Sequence, residues 1–84
     1  MYEIKIEMRT SADYNKILSS DYNLGFDFLI AISELVKSNN IDLEFEEILE
    51  LKVMTDEGII IEEYSGLELM LINQDIKEMI KEGE

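Results

Sequence analysis

From Tyr2 to Arg9 the chain alternates without a break, with Tyr2, Ile4, Ile6 and Met8 on one side and Glu3, Lys5, Glu7 and Arg9 on the other. Period two over this length predicts a strand with one buried face. Between Thr10 and Asn23 the pattern is lost. Ser, Asn and Asp surround a small apolar knot of Tyr14, Ile17 and Leu18, which reads as a loop with room for one helical turn. From Leu24 to Ser38 the period lengthens, and Phe28, Leu29, Ile32, Leu35 and Val36 fall on one stripe of a helix. Ser38-Asn39-Asn40 supplies its stop.

Residues 42–54 support two readings. Good helix formers fill the stretch from Asp42 to Glu50, and Asp42 suits a cap. Read as a strand, Leu43, Phe45, Leu49, Leu51 and Val53 share one face, with a break or bulge at Glu46-Glu47. The strand is preferred because Thr55-Asp56-Glu57-Gly58 makes a hairpin turn, with Gly taking positive φ. Beyond it, Ile59-Ile60-Ile61-Glu62-Glu63-Tyr64 is short and β-branched. After Ser65-Gly66, Leu69, Ile72, Ile76, Met79 and Ile80 recur at helical spacing. Lys77 and Lys81 sit near the end of this helix, where its dipole favours cations. The expected fold is α+β: one small domain over residues 1–84, in the order β-α-β-β-α. It has an antiparallel sheet of about three strands with two helices packed on one face.

Charge changes the picture more than length does. Twenty acidic residues face seven basic ones, a net charge of −13, and there is neither His nor Cys. Such a charge repels nucleic acid and acidic membranes and favours basic surfaces, so neither nucleic acid nor membrane is an expected direct partner. A hydrophobic content of 46% still supports a core, and self-repulsion implies that salt stabilises the fold. The absence of Cys, of a signal peptide at Met1–Lys5 and of any apolar run longer than Phe28–Ile32 gives a cytoplasmic expectation.

Lack of His and Cys removes the common general base, the thiol nucleophile and the best transition-metal ligands. The expectation is a binding protein, not an enzyme, with no cofactor and no metal. Glu50-Leu51-Lys52 matches half of a metal-dependent nuclease motif, but no Pro-Asp partner precedes it. Asp56-Glu57-Gly58 lacks the ligand order and closing Glu of a calcium loop.

The acidity is segregated. Between Ser38 and Ile76 eleven acidic residues face Lys52 alone. Along a strand, same-face residues are spaced ~6.6 Å apart, near the pitch of successive phosphates. Glu44, Glu46 and Glu50 would form such a row, with Glu62 on the neighbouring strand ~4.8 Å away. The expected partner-binding set is therefore Glu44, Glu46, Glu47, Glu50, Glu62 and Glu63. Tyr64 is the aromatic anchor, and Asp56 and Glu57 reach forward at the hairpin tip. Of the other tyrosines, Tyr2 and Tyr14 read as core or core-edge residues and Tyr22 as part of the polar loop.

In size, acidity, lack of catalytic residue types and a composition suited to an AT-rich genome, the chain resembles a group of small acidic inhibitors. Phages and mobile elements encode these against host nucleases, anti-CRISPR and anti-restriction proteins among them. No motif carries the likeness. It implies a stoichiometric nucleic-acid mimic that blocks the nucleic-acid-binding groove of a nuclease or effector complex. The alternative is an acidic adaptor or regulatory subunit that docks on a basic protein surface without mimicry. Either form is a monomer or a weak homodimer, and the homodimer requires a clear apolar patch to offset its charge.

Overall fold

Four strands form one antiparallel sheet in a computed structural model that describes residues 4–23 and 27–82. The elements are β1 (Ile4–Thr10), β2 (Leu18–Tyr22), α1 (Phe28–Ser38), β3 (Ile48–Thr55), β4 (Ile60–Tyr64) and α2 (Gly66–Glu82), and the sheet order is β2-β1-β3-β4. The α+β class holds. The sheet has four strands rather than about three, because the stretch expected as a loop supplies β2. Its sequence, Leu18-Ser19-Ser20-Asp21-Tyr22, has little intrinsic preference for a strand. Leu18 and Tyr22 nevertheless pair opposite Met8 and Ile4, so contact with β1, not local pattern, makes this strand. Tyr2 and Leu24, the expected starts of the first strand and the first helix, lie outside the described residues.

On β1, Ile6, Met8 and Thr10 are buried while Lys5, Glu7 and Arg9 line the other face. Both helices cover the buried face. Ile32, Leu35 and Val36 of α1 and Leu69 and Ile76 of α2 join Ile6, Met8, Leu51 and Val53 in one core. Each such side chain stabilises the fold by about 1.5–3 kcal/mol when fully buried. Asp27 caps α1, its carboxylate accepting from the N–H groups of Leu29 and Ile30. At the far end Asn40 takes φ 55; the Ile41 N–H donates to the Val36 carbonyl and the Asn40 N–H to that of Lys37. This two-bond left-handed stop is one that Asn tolerates.

The strand expected over residues 42–54 begins only at Ile48. Asp42 takes the preceding residues for a turn: its Oδ1 accepts from the Glu44 N–H at 3.0 Å, and its carbonyl from those of Phe45 and Glu46, each at 3.0 Å. Short acidic side chains compete with a sheet ladder in this way. The expected break falls later as well. Arg9 lies opposite Glu50 but Thr10 lies opposite Ile48, which makes Leu49 the extra residue of a β-bulge. The bulge turns Ile48 inward, 1% exposed, and leaves Leu49 at 44%, the reverse of the expected facing. A second bulge leaves Ile61 unmatched, since Val53 faces Glu62 and Met54 faces Ile60.

One side chain of α2 fixes the start of β3. Asn73 accepts from the Ile48 N–H at 2.8 Å and donates to the Ile48 carbonyl at 3.0 Å, while its amide also reaches the Leu69 carbonyl at 3.0 Å. The half-buried Asn thus takes the place of a neighbouring strand at the point where the ladder opens.

Candidate functional site

The expected acidic residues do not form one row. Glu44, Glu46 and Glu47 lie in the turn and link ahead of β3, Glu50 is on the open face of the sheet, and the rest belong to the hairpin and β4. Phosphate-like spacing along a strand is therefore lost, because the capped turn at Asp42 ends the extended backbone that it requires.

Two of these carboxylates already hold bases of their own chain. Glu44 bridges Lys77 at 3.3 Å and Lys81 at 3.8 Å. Glu50 meets Lys52 at 2.7 Å and Arg9 at 3.1 Å, and accepts a hydrogen bond from the Tyr14 hydroxyl at 3.3 Å. The bond from Lys52 is the main reason the Glu50 carboxyl sits below its ordinary value; the charges of Lys52 and Arg9 and the Tyr14 bond add to this, against the opposing effect of burial. The same bond raises Lys52. Across the open face Glu7, Lys52 and Glu63 stand in register, and Lys5 pairs with Glu7 at 3.0 Å. Signs alternate here, so this face offers no continuous negative strip. Tyr14, expected at the core edge, is half exposed beneath the Arg9 guanidinium, 5.2 Å from its ring centre.

The hairpin differs. Residues 56–63 are all exposed, and among the described residues no base lies within ion-pair distance of Asp56, Glu57, Glu62 or Glu63. Its turn is well held. Gly58 takes φ 91 and donates its N–H to Thr55, which pairs with Ile59 through backbone and side chain. Ile59, Ile60 and Ile61 are exposed beside the acids. The strand is a sheet edge, yet its shortness, the Glu62-Glu63 pair and the Ile61 bulge blunt it against the addition of another strand.

Tyr64, the expected anchor, is half-buried. Its ring stacks on Phe28 with centroids 5.1 Å apart, and Phe28 meets Tyr22 edge-on at 5.7 Å. Tyr22 thus belongs to a strand and an aromatic cluster rather than to a polar loop. Burial first, and then the hydrogen bond its hydroxyl donates to Glu62, push the Tyr64 pKa up to about 12.

Sequence reasoning missed Phe45. The alternating pattern assigned it to the buried face; the Asp42 turn instead leaves it 89% exposed. The available signal was an aromatic residue enclosed by Asp42, Glu44, Glu46 and Glu47. Among the described residues no group of three or more acids is placed to hold a metal ion, and no helix is long and apolar enough to cross a membrane. In comparisons with known proteins, no family model matches the chain, and neither a curated protein nor a solved structure matches it.

Proposed function

We propose that this protein acts by binding, without catalysis, to a basic surface of another protein, and that the β3–β4 hairpin makes the contact. The observation that carries this reading is the exposed run from Asp56 to Glu63, three isoleucines among four carboxylates that, among the described residues, have no base within ion-pair distance. An apolar centre with a charged rim is the composition of a protein interface, and carboxylates outside any ion pair steer it toward Lys and Arg. Glu44 and Glu50 are poorer contacts, because a partner would have to displace bases already in place.

The narrower reading, an inhibitor that fills the nucleic-acid groove of a nuclease or effector complex, keeps the support of the net charge. It loses the evenly spaced carboxylate row. Docking as an adaptor needs no such row and is the form this geometry favours.

The test is affinity capture from a lysate of the encoding organism, at low and at moderate salt, with the wild-type chain and with a Glu57→Lys/Glu63→Lys variant. A basic protein retained by the wild type, released by salt and lost with the variant is the expected result. Equal retention by the variant rules the hairpin out. Adding nucleic acid to the captured complex separates the two forms, since only the inhibitor is displaced by it.

A further inference from the structure

Helix α2 carries two apolar stripes, and the core uses one of them. Leu69, Ile72, Ile76, Met79 and Ile80 pack inward. Leu67, Met70 and Leu71, at i, i+3 and i+4, share the opposite side and are between 49% and 66% exposed. Exposed hydrophobics scattered singly are ordinary, whereas a stripe of them marks a contact surface. Along one edge of this stripe Glu68, Asp75 and Glu82 recur every seven residues, about 10 Å apart on the axis. Among the described residues none of the three has a base within ion-pair distance, and from Val53 to Ile76 the chain contains six acidic residues and no base. From this juxtaposition we infer that the outer face of α2 is a second docking surface, and that its occupant is a basic amphipathic helix of another protein. Apolar side chains of that helix cover Leu67, Met70 and Leu71, and its Lys or Arg residues at heptad spacing meet Glu68, Asp75 and Glu82.

The spacing points to a helix on both counts. An i, i+3, i+4 stripe is a ridge of a helix–helix seam, and charges seven residues apart beside such a seam select the helix that joins it. Met70 suits a seam with a foreign helix, because its thioether adapts to the shape it meets. Charge sets the sign of the occupant. A second copy is the wrong one: the two bases of its own α2, Lys77 and Lys81, are already bridged to Glu44, and each chain brings a net −13. An acidic membrane is repelled by the same edge. The helix is held for the task by Leu69 and Ile76 in the core and by the Asn73 bonds to Ile48, so little ordering is left to be done on contact. This surface shares no residue with the hairpin, and either reading survives the failure of the other.

The probe is a fluorescent helical peptide of about three heptads, with Leu on one stripe and Lys along its edges. Two controls accompany it: the same residues reordered so that no stripe forms, and the same stripe edged with Glu. Fluorescence anisotropy with the full chain, at a salt concentration that screens the distant hairpin, should show saturable binding of the Leu/Lys peptide and binding at least about tenfold weaker for each control. Leu67→Ser/Leu71→Ser and Glu68→Lys/Asp75→Lys should each weaken it by a similar factor with unchanged circular dichroism, while Glu57→Lys/Glu63→Lys leaves it in place. Amide shifts in the wild-type chain should concentrate between Leu67 and Glu82, a readout that needs no variant to fold. Absence of binding overturns the inference, as does equal binding of the reordered peptide, which is charge attraction alone. Shifts centred on the hairpin, or indifference to Leu67→Ser/Leu71→Ser, refute it as well. Should that variant instead abolish self-association of the chain seen by sedimentation, a second copy covers the face and the basic helix is excluded.

Discussion

Replacing Asn73 by Ala removes three hydrogen bonds, two of them to the N–H and carbonyl of Ile48 and one to the Leu69 carbonyl. A typical intramolecular hydrogen bond contributes about 1 kcal/mol net, and a buried group left unpaired adds its own desolvation cost. Ile48 is buried and its backbone is fixed in the bulged start of β3, so its two groups have poor access to water once the amide is gone. The expected loss is ~2–4 kcal/mol. For a chain of this size total stability is ~4–13 kcal/mol, so a single side-chain truncation on a helix removes a large share. Asn73→Leu restores volume but should rescue little, because the orphaned partners are backbone and cannot be replaced by apolar groups. Urea unfolding followed by far-UV circular dichroism provides the measurement. With a slope of ~1 kcal/mol per molar, the midpoint should fall by ~2 M or more. Amide exchange at Ile48 should accelerate by more than the global loss of stability explains. A midpoint shift under ~0.5 M at unchanged slope would show that the clamp is decorative and that packing alone holds β3 to α2.

Three further outcomes can be measured on the same material. Phe45→Ala should leave stability within ~0.5 kcal/mol, as an exposed truncation does, whereas Ile76→Ala in the core should cost ~2–5 kcal/mol; equal thermal shifts would refute the assigned burial. Gly58→Ala should cost ~1–2 kcal/mol from the left-handed backbone alone, since a Cβ there meets no atom within 4 Å, and a neutral result would mean that the turn is different. Tyr64 keeps its proton up to about 12 when folded, against 10.0 for the free side chain, so its stabilisation is whole below pH 10 and is lost as pH climbs from 10 to 12. Tyr64→Phe should flatten that alkaline limb in thermal melts, and parallel curves for the two proteins would contradict the shift.

The elements that could be read from sequence are those whose partner lies on the same element. The alternation of β1 and the stripe of α2 each repeat a single relation to one core, and the hairpin turn is written in Thr55 to Gly58. The strand β2 could not be read in that way, because Ser19, Ser20 and Asp21 acquire strand geometry only by pairing with β1. At residues 42–54 both candidate patterns were in the sequence and each holds in part: the Asp42 cap of the helical reading bonds the backbone of a single turn, and the strand takes over at Ile48. For the site, the number of acids was plain from the start but their accounting was not. Arg9 and Glu50 are 41 positions apart in sequence and in contact across the sheet, and Lys77 and Lys81 neutralise a residue in a distant turn. Counting charges along the chain treats these as independent. Folding divides them into carboxylates already matched and carboxylates left available on the hairpin.

The extra residue at Leu49 has a consequence for how this fold can change length. Losing or gaining a residue within a strand normally sends every side chain beyond it to the opposite face of the sheet. Here Ile48 and Glu50 already hold the partners, Thr10 and Arg9, that they would have if Leu49 were deleted. A chain one residue shorter at that point could keep both ladders and the whole interior, trading only a kink for a straighter strand. Middle-of-strand deletions are ordinarily the least forgiving edits a small protein can suffer; in this one, the edit has a position reserved for it.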